Sequence, residues 1–221
     1  MILTRKCLII YSGTLLRPHP ISPTTKKANL RRHHRQLRRA LSGKTQLLHE
    51  QALATHFFTS PISWRMGRIA AYLASDGEIS PLAIIERLLN RHQTVALPVV
   101  RSKTEMHFYQ VNNHTDFVRS NFGILEPNES TAYVATTSLS LILVPLVAFD
   151  NNGFRLGRGR GYYDRHFQLH SAVRVGLAHE IQAASQIPNE PWDLPLDAVI
   201  TEKGWRSFTP RGKMLLPPQH R

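Results

Sequence analysis

The chain has 221 residues, of which 42% are hydrophobic, with a single cysteine and a formal charge of +13. This is enough apolar material for one large domain and excludes a disordered protein. The lone Cys7 excludes an internal disulfide framework and fits a reducing compartment, and no run of ~18 apolar residues marks a membrane span. The charge is unevenly spread. Residues 1–44 hold eleven Lys or Arg and no acid, whereas the remaining 17 basic and 15 acidic residues leave the body close to neutral. Any nucleic-acid surface would therefore be confined to a basic arm, and neither a nucleic-acid nor a membrane partner is expected.

In chain order, residues 1–25 carry no periodicity and are interrupted by Pro18, Pro20 and Pro23, so they are expected to be a disordered or non-native lead. A targeting segment that directs the chain to an organelle is the alternative to a cytoplasmic location. From Lys26, Leu30, Leu37 and Leu41 fall near one helical stripe, and a second helix is expected over 44–58 after the break at Ser42-Gly43. His33 and His34 are adjacent, lack a ligand partner one turn on and are expected at the surface. Residues 68–74 read as a buried strand and 80–92 as an amphipathic helix, with Ser80 as N-cap and Pro81 in the first turn. Strands are expected at 94–100 and 106–111. The most apolar run, 139–149, suits a central strand covered on both faces. A helix after Gly161 and strands at 172–178 and 196–201 complete the pattern, and residues 206–221 look loose. Alternating strands and helices predict an α/β three-layer sandwich with a mostly parallel, Rossmann-like sheet, forming one domain over 26–205.

The most informative stretch joins the central strand to the next helix. There Gly157-Arg158-Gly159-Arg160-Gly161-Tyr162-Tyr163-Asp164 alternates glycine with arginine. Glycines let a backbone approach phosphate oxygens, arginines neutralise them with fork geometry, and a helix N-terminus presents free N–H groups. Asp164, one turn into the helix, is of the type that holds Mg²⁺ beside nucleotide phosphates. The spacing matches neither a Walker A loop nor a dinucleotide fingerprint. On chemistry alone, an anion cradle and a flexible connection with solvated arginines are both open.

The longer segment LVPLVAFDNNGFRLGRGRGYYDRHF (143–167) resembles the signature of the 5-formyltetrahydrofolate cyclo-ligase (methenyltetrahydrofolate synthetase) family. KANLR (27–31), YLASDGEIS (72–80), ALPVV (96–100), NFGILEP (121–127) and DLPLDAVIT (193–201) follow in the family's order. The resemblance covers about 26–202. It implies an enzyme that uses ATP and Mg²⁺ to convert 5-formyltetrahydrofolate, with or without a polyglutamate tail, into 5,10-methenyltetrahydrofolate, with ADP and phosphate released; a monomer is expected.

It also implies roles. ATP would be bound by Lys27, Ala28, Asn29, Leu30 and Arg31, and by Arg155, Leu156 and the run from Gly157 to Tyr163 that includes Arg158, Gly159, Arg160, Gly161 and Tyr162. Leu73, Glu78, Phe122 and Tyr162 would hold the folate, Arg158 and Tyr162 would serve catalysis, and Asp164 and Asp197 would share the metal. Lys27 and Arg31 lie four apart and so share a helix face from which both can reach the same phosphates; without the resemblance, a solvated basic face with Arg32, Arg35, Arg38 and Arg39 would be the plainer reading. A catalytically weak nucleotide- or folate-binding relative, or a nucleic-acid binder that uses the basic arm, are the competing functions.

Overall fold

The computed structural model describes residues 23–60, 63–120, 125–128 and 131–218. Residues 1–22 of the expected lead, and Phe122, lie outside the described residues. Helices α1 (Pro23–Arg39) and α2 (Gly43–Thr59) are followed by β1 (Arg68–Ala70), α3 (Leu82–Leu89), β2 (Val95–Val100) and β3 (Met106–Val111). A hairpin of β4 (Phe117–Arg119) and β5 (Leu125–Pro127), then β6 (Tyr133–Val134), lead to β7 (Leu139–Pro145). A second small ladder, β8 (Ala148–Phe149) with β9 (Arg155–Leu156), precedes α4 (Tyr162–Leu169). The chain ends with β10 (Val173–Leu177), β11 (Ala198–Thr201), β12 (Gly204–Ser207) and α5 (Pro210–Leu215).

Eight strands form the main sheet, in the order β12-β11-β10-β7-β1-β2-β3-β6. The central pairs β11–β10, β10–β7, β7–β1 and β1–β2 are parallel, and the pairs towards both edges are antiparallel. The alternation of side chains along each strand builds the layers. Ile69, Leu141, Leu143 and Val175 point into one apolar layer, where α2 and α3 contribute Leu53, Phe57, Ile84 and Leu88. Their neighbours Ala70, Ile142, Val144 and Val199 point to the other face, onto Phe167 of α4. The sheet is thus covered on both sides, the arrangement in which strands read as continuous apolar runs.

Ser42 caps α2 by accepting from the Thr45 N–H at 3.2 Å. The α3 helix begins at Leu82, with Pro81 in the cap position, while the Ser80 hydroxyl accepts from the Leu82 N–H at 3.2 Å. No described helix is long and apolar enough to cross a membrane.

Three expectations are corrected. His34 is buried, because its face of α1 packs towards the segment around Ile181. Arg38 is also fully buried and does not belong to a solvated face. The segment from 206 is not loose up to Leu216: β12 adds an antiparallel strand, and α5 buries Leu215. The Thr209 hydroxyl caps α5 by accepting from the Gly212 N–H at 3.1 Å. Gly212 sits so close to the main chain that a Cβ there would lie 1.8 Å from the Asp197 carbonyl oxygen. Gly212→Ala is therefore expected to cost about 1–3 kcal/mol through forced displacement of α5. Urea unfolding with an unchanged slope but a lowered midpoint would verify it, whereas an unaltered midpoint would show that α5 adjusts freely.

Candidate active site

Strand β1 passes through α3 to β2 on one side, while β7 passes through α4 to β10 on the other. The strand order therefore reverses between β1 and β7, and α/β sheets bind ligands beyond the carboxyl ends of strands at such a point. A cavity of about 390 Å³ opens there, lined by α1, the loop after β1, part of β2 and β3, and the glycine-rich segment from Arg155 to Asp164.

The backbone of the glycine loop is built for this position. Gly159 and Gly161 have φ of +96° and +69°, values at which a side chain would be strained. Gly161 is also the N-cap of α4, and no side chain caps that end. The first N–H groups of α4 thus start at the cavity wall without an internal acceptor. Two cations from α1 face the same wall. Arg31 Nε donates to the Gly157 carbonyl at 2.9 Å, and Lys27 Nζ lies 3.3 Å from Asp193 Oδ2. Burial lowers the pKa of Arg31, the cost of holding a cation against a closed surface.

Glu78 faces the loop from the other side. Arg158 Nε donates to its Oε1 at 2.9 Å, the Ser75 N–H donates to Oε2 at 3.1 Å, and Arg38 Nη1 stands 3.8 Å away. Burial raises the Glu78 pKa, and Arg158 and Arg38 only partly oppose the shift. Arg158 also donates to the Ser75 carbonyl at 2.8 Å, which locks the loop after β1 to the glycine loop. Tyr72 donates to the Ile79 carbonyl at 2.8 Å, so the chain leaves the sheet soon after Ala70 and the expected 68–74 strand is short. Tyr163 is half-buried, its shielded hydroxyl has no hydrogen-bond partner among the described residues, and burial, then the nearby Glu78 charge, raise its pKa. Tyr162 is anchored at the rim by a 2.9 Å hydrogen bond to the Ser102 carbonyl.

The structure brings together most of the residues singled out in the sequence. Lys27, Arg31, Leu73, Glu78, Arg155, Leu156, every residue from Gly157 to Tyr163, and Asp164 line the cavity. Ala28, Asn29 and Leu30 do not, because a helix turns by ~100° per residue. Asn29 instead accepts from Arg32 at 2.9 Å, and Leu30 packs beside Leu156 and Ile187.

Asp164 and Asp197 are not brought together either. Asp164 borders the cavity and pairs with Arg155. Asp197 precedes β11, at the amino end of that strand, and does not line the cavity. Its buried carboxylate accepts from the Arg174 N–H at 2.9 Å, Thr209 Oγ1 at 2.6 Å and Arg211 Nη2 at 3.2 Å. Sequence reasoning passed over Asp193, the first acid of the DLPLD segment, which is the one that reaches the cavity. It also missed Ser75 and Tyr72, neither of which carries a motif of its own.

The sequence pattern described as the 5-formyltetrahydrofolate cyclo-ligase family matches residues 23–202. The chain belongs to that family. Cyclo-ligases named 5-formyltetrahydrofolate cyclo-ligase from Haemophilus influenzae and Escherichia coli K12 are 35% and 36% identical to it. These alignments cover 80% and 77% of this chain and 98% of each relative. Among solved structures, the Aquifex aeolicus 5,10-methenyltetrahydrofolate synthetase superimposes with a TM-score of 0.74 at 30% identity, covering 82% of this chain and 92% of that one. The cyclo-ligase family's enzymes are ligases, and this chain is one of them.

Proposed function

We propose that the protein cyclises 5-formyltetrahydrofolate to 5,10-methenyltetrahydrofolate at the expense of ATP, in the cavity between β1 and β7. The observation that carries this reading is the placement of Glu78 opposite the glycine loop in one enclosure. A carboxylate lining the cavity can take two N–H groups of a pterin ring, because each oxygen keeps an acceptor site beyond the one used by Arg158 or the Ser75 N–H. The loop, the α4 N-terminus, Lys27 and Arg31 supply the donors and positive charge that a triphosphate requires.

A formamide carbon is a poor electrophile and its oxygen a poor leaving group. Attack of the formyl oxygen on the γ-phosphorus expels ADP and turns that oxygen into a phosphate ester. N10 of the same folate then attacks the formyl carbon, phosphate departs with the oxygen, and N10 loses its proton. The second step is intramolecular, so correct orientation alone is worth effective molarities of about 10⁵–10⁸ M. The first is phosphoryl transfer, where positioning and charge stabilisation do most of the work. In this reading Arg158 positions Glu78 and the loop, and Tyr162 and Leu73 form walls against the folate.

Asp164, with a side chain 45% exposed at the cavity, fits a Mg²⁺ ligand. Asp197 does not, because its oxygens are occupied by four donors away from the cavity. Mg²⁺, when bound, would offset charge on the phosphate oxygens.

The direct test mixes the protein with 5-formyltetrahydrofolate and MgATP and follows near-ultraviolet absorbance, since closing the methenyl bridge extends conjugation. A rise that requires both substrates is expected, and its absence from folded protein would refute the reading. Glu78→Gln is expected to raise the KM for folate ~10–100-fold, the worth of hydrogen bonds to a charged group, with the KM for ATP little changed. The pH dependence follows from the raised pKa. Glu78 accepts N–H groups at both oxygens only as a carboxylate, so folate binding weakens as the pH falls through a value above the ordinary 4.5. In Glu78→Gln that acid limb should vanish. A limb that persists unchanged would assign it to another group.

A further inference from the structure

We infer that His49, His179 and Glu202 form a binding site for one divalent transition metal of the Zn²⁺ type, separate from the active-site cavity. None of the three lines that cavity. His49 lies on α2, His179 two residues after β10 and Glu202 directly after β11, so the site forms where α2 meets the carboxyl ends of two parallel strands.

The geometry is close to that of a metal site. His49 Nδ1 is 2.9 Å from His179 Nδ1 and 3.7 Å from Glu202 Oε2, and all three ligand atoms lie within 4.8 Å of one another. Metal–ligand bonds of ~2.0–2.1 Å in a tetrahedron place ligand atoms ~3.3–3.4 Å apart. These two separations lie on either side of that value and the third is no more than 4.8 Å, so small side-chain rotations would seat an ion. Two imidazoles and a carboxylate are the ligand types such ions prefer, and a fourth position remains for water.

His179 is fully buried, so packing holds its ring. The surrounding charges are accounted for. The Glu180 carboxylate is engaged by Arg206 and Thr201. Arg38 is bound to Asp76. His56 Nε2 lies 3.1 Å from the Glu202 carbonyl oxygen. Glu202 Oε2 also accepts from the Glu180 N–H at 2.9 Å, an outer contact that orients the carboxylate. His49, with a side chain 20% exposed, marks the way in.

Untagged full-length protein stripped by a chelator and titrated with Co²⁺ tests the site. One Co²⁺ per chain is expected, with the intense visible bands of four-coordinate cobalt, and equimolar Zn²⁺ should bleach them and raise the melting temperature. His49→Ala and the isosteric Glu202→Gln should each weaken Co²⁺ binding by more than the ~10–100-fold that loss of an outer-shell partner costs. Circular dichroism and melting of the metal-free variants would establish that they are folded. No stoichiometric uptake by folded wild type would overturn the site. So would bands of undiminished intensity in either folded variant.

Discussion

Arg38→Met should cost about 3–5 kcal/mol of folding stability, the usual penalty for removing one partner of a buried ion pair. The Arg38 side chain is fully buried. Its Nε donates to the Asp76 carbonyl at 2.9 Å, Nη2 to Asp76 Oδ2 at 2.8 Å and Nη1 to the Leu146 carbonyl at 3.1 Å. One guanidinium thus joins α1 to the loop after β1 and to the chain leaving β7, the two strands that flank the cavity. Asp76 itself has φ of +60°, a conformation uncommon for a residue with a side chain, and its carboxylate fixes that turn through Arg35, Arg38 and Arg39. Methionine matches the stem of arginine but leaves the Leu146 and Asp76 carbonyls and the buried Glu78 carboxylate with fewer partners. Out of a typical total of ~5–15 kcal/mol the loss is large. Arg39→Met is the control: it is exposed, and its pair with Asp76 should contribute less than about 1 kcal/mol. Urea midpoints for the two variants should differ accordingly. Equal midpoints would mean that Arg38 is replaceable by packing alone.

Arg38 also shows where the sequence stops being legible. Within RRHHRQLRRAL, nothing distinguishes the buried arginine from its solvated neighbours, because its partners lie 38 and 108 residues away. The same holds for His34, and for His49, His179 and Glu202, which the fold gathers from three distant elements. What the sequence carries well is local. Continuous apolar runs marked β7, β10 and β11, since both faces of those strands are covered. Closely spaced glycines marked the loop, because each acts through its own backbone.

Where a residue's role depends on its position along a strand, the reading divided. Asp193 and Asp197 sit four apart in one segment, yet the first reaches the cavity and the second is held at the other end of β11. The α5 helix was hidden by its length. Six residues containing Gly212 carry too little periodicity to register.

The two aspartates expected to share a metal should separate cleanly by experiment. Asp164→Asn is expected to lower kcat by ~10²–10³-fold, comparable to removing one preorganised electrostatic group from a transition state, and to raise the Mg²⁺ concentration needed for half-maximal rate. Its effect on stability should be small, because the amide oxygen still accepts from Arg155 and the side chain is partly exposed. Asp197→Asn should do the reverse. Its oxygens receive hydrogen bonds from Arg174, Thr209 and Arg211, and it ties α5 to the sheet. Removing that buried charge should cost about 1–3 kcal/mol of stability while leaving the Mg²⁺ dependence unaltered. The deciding readout is the Mg²⁺ titration of the rate, run beside urea unfolding on both variants. If Asp197→Asn shifts the Mg²⁺ requirement as much as Asp164→Asn does, the carboxylate must enter the cavity during turnover, and the hydrogen bonds that hold it here must open for catalysis.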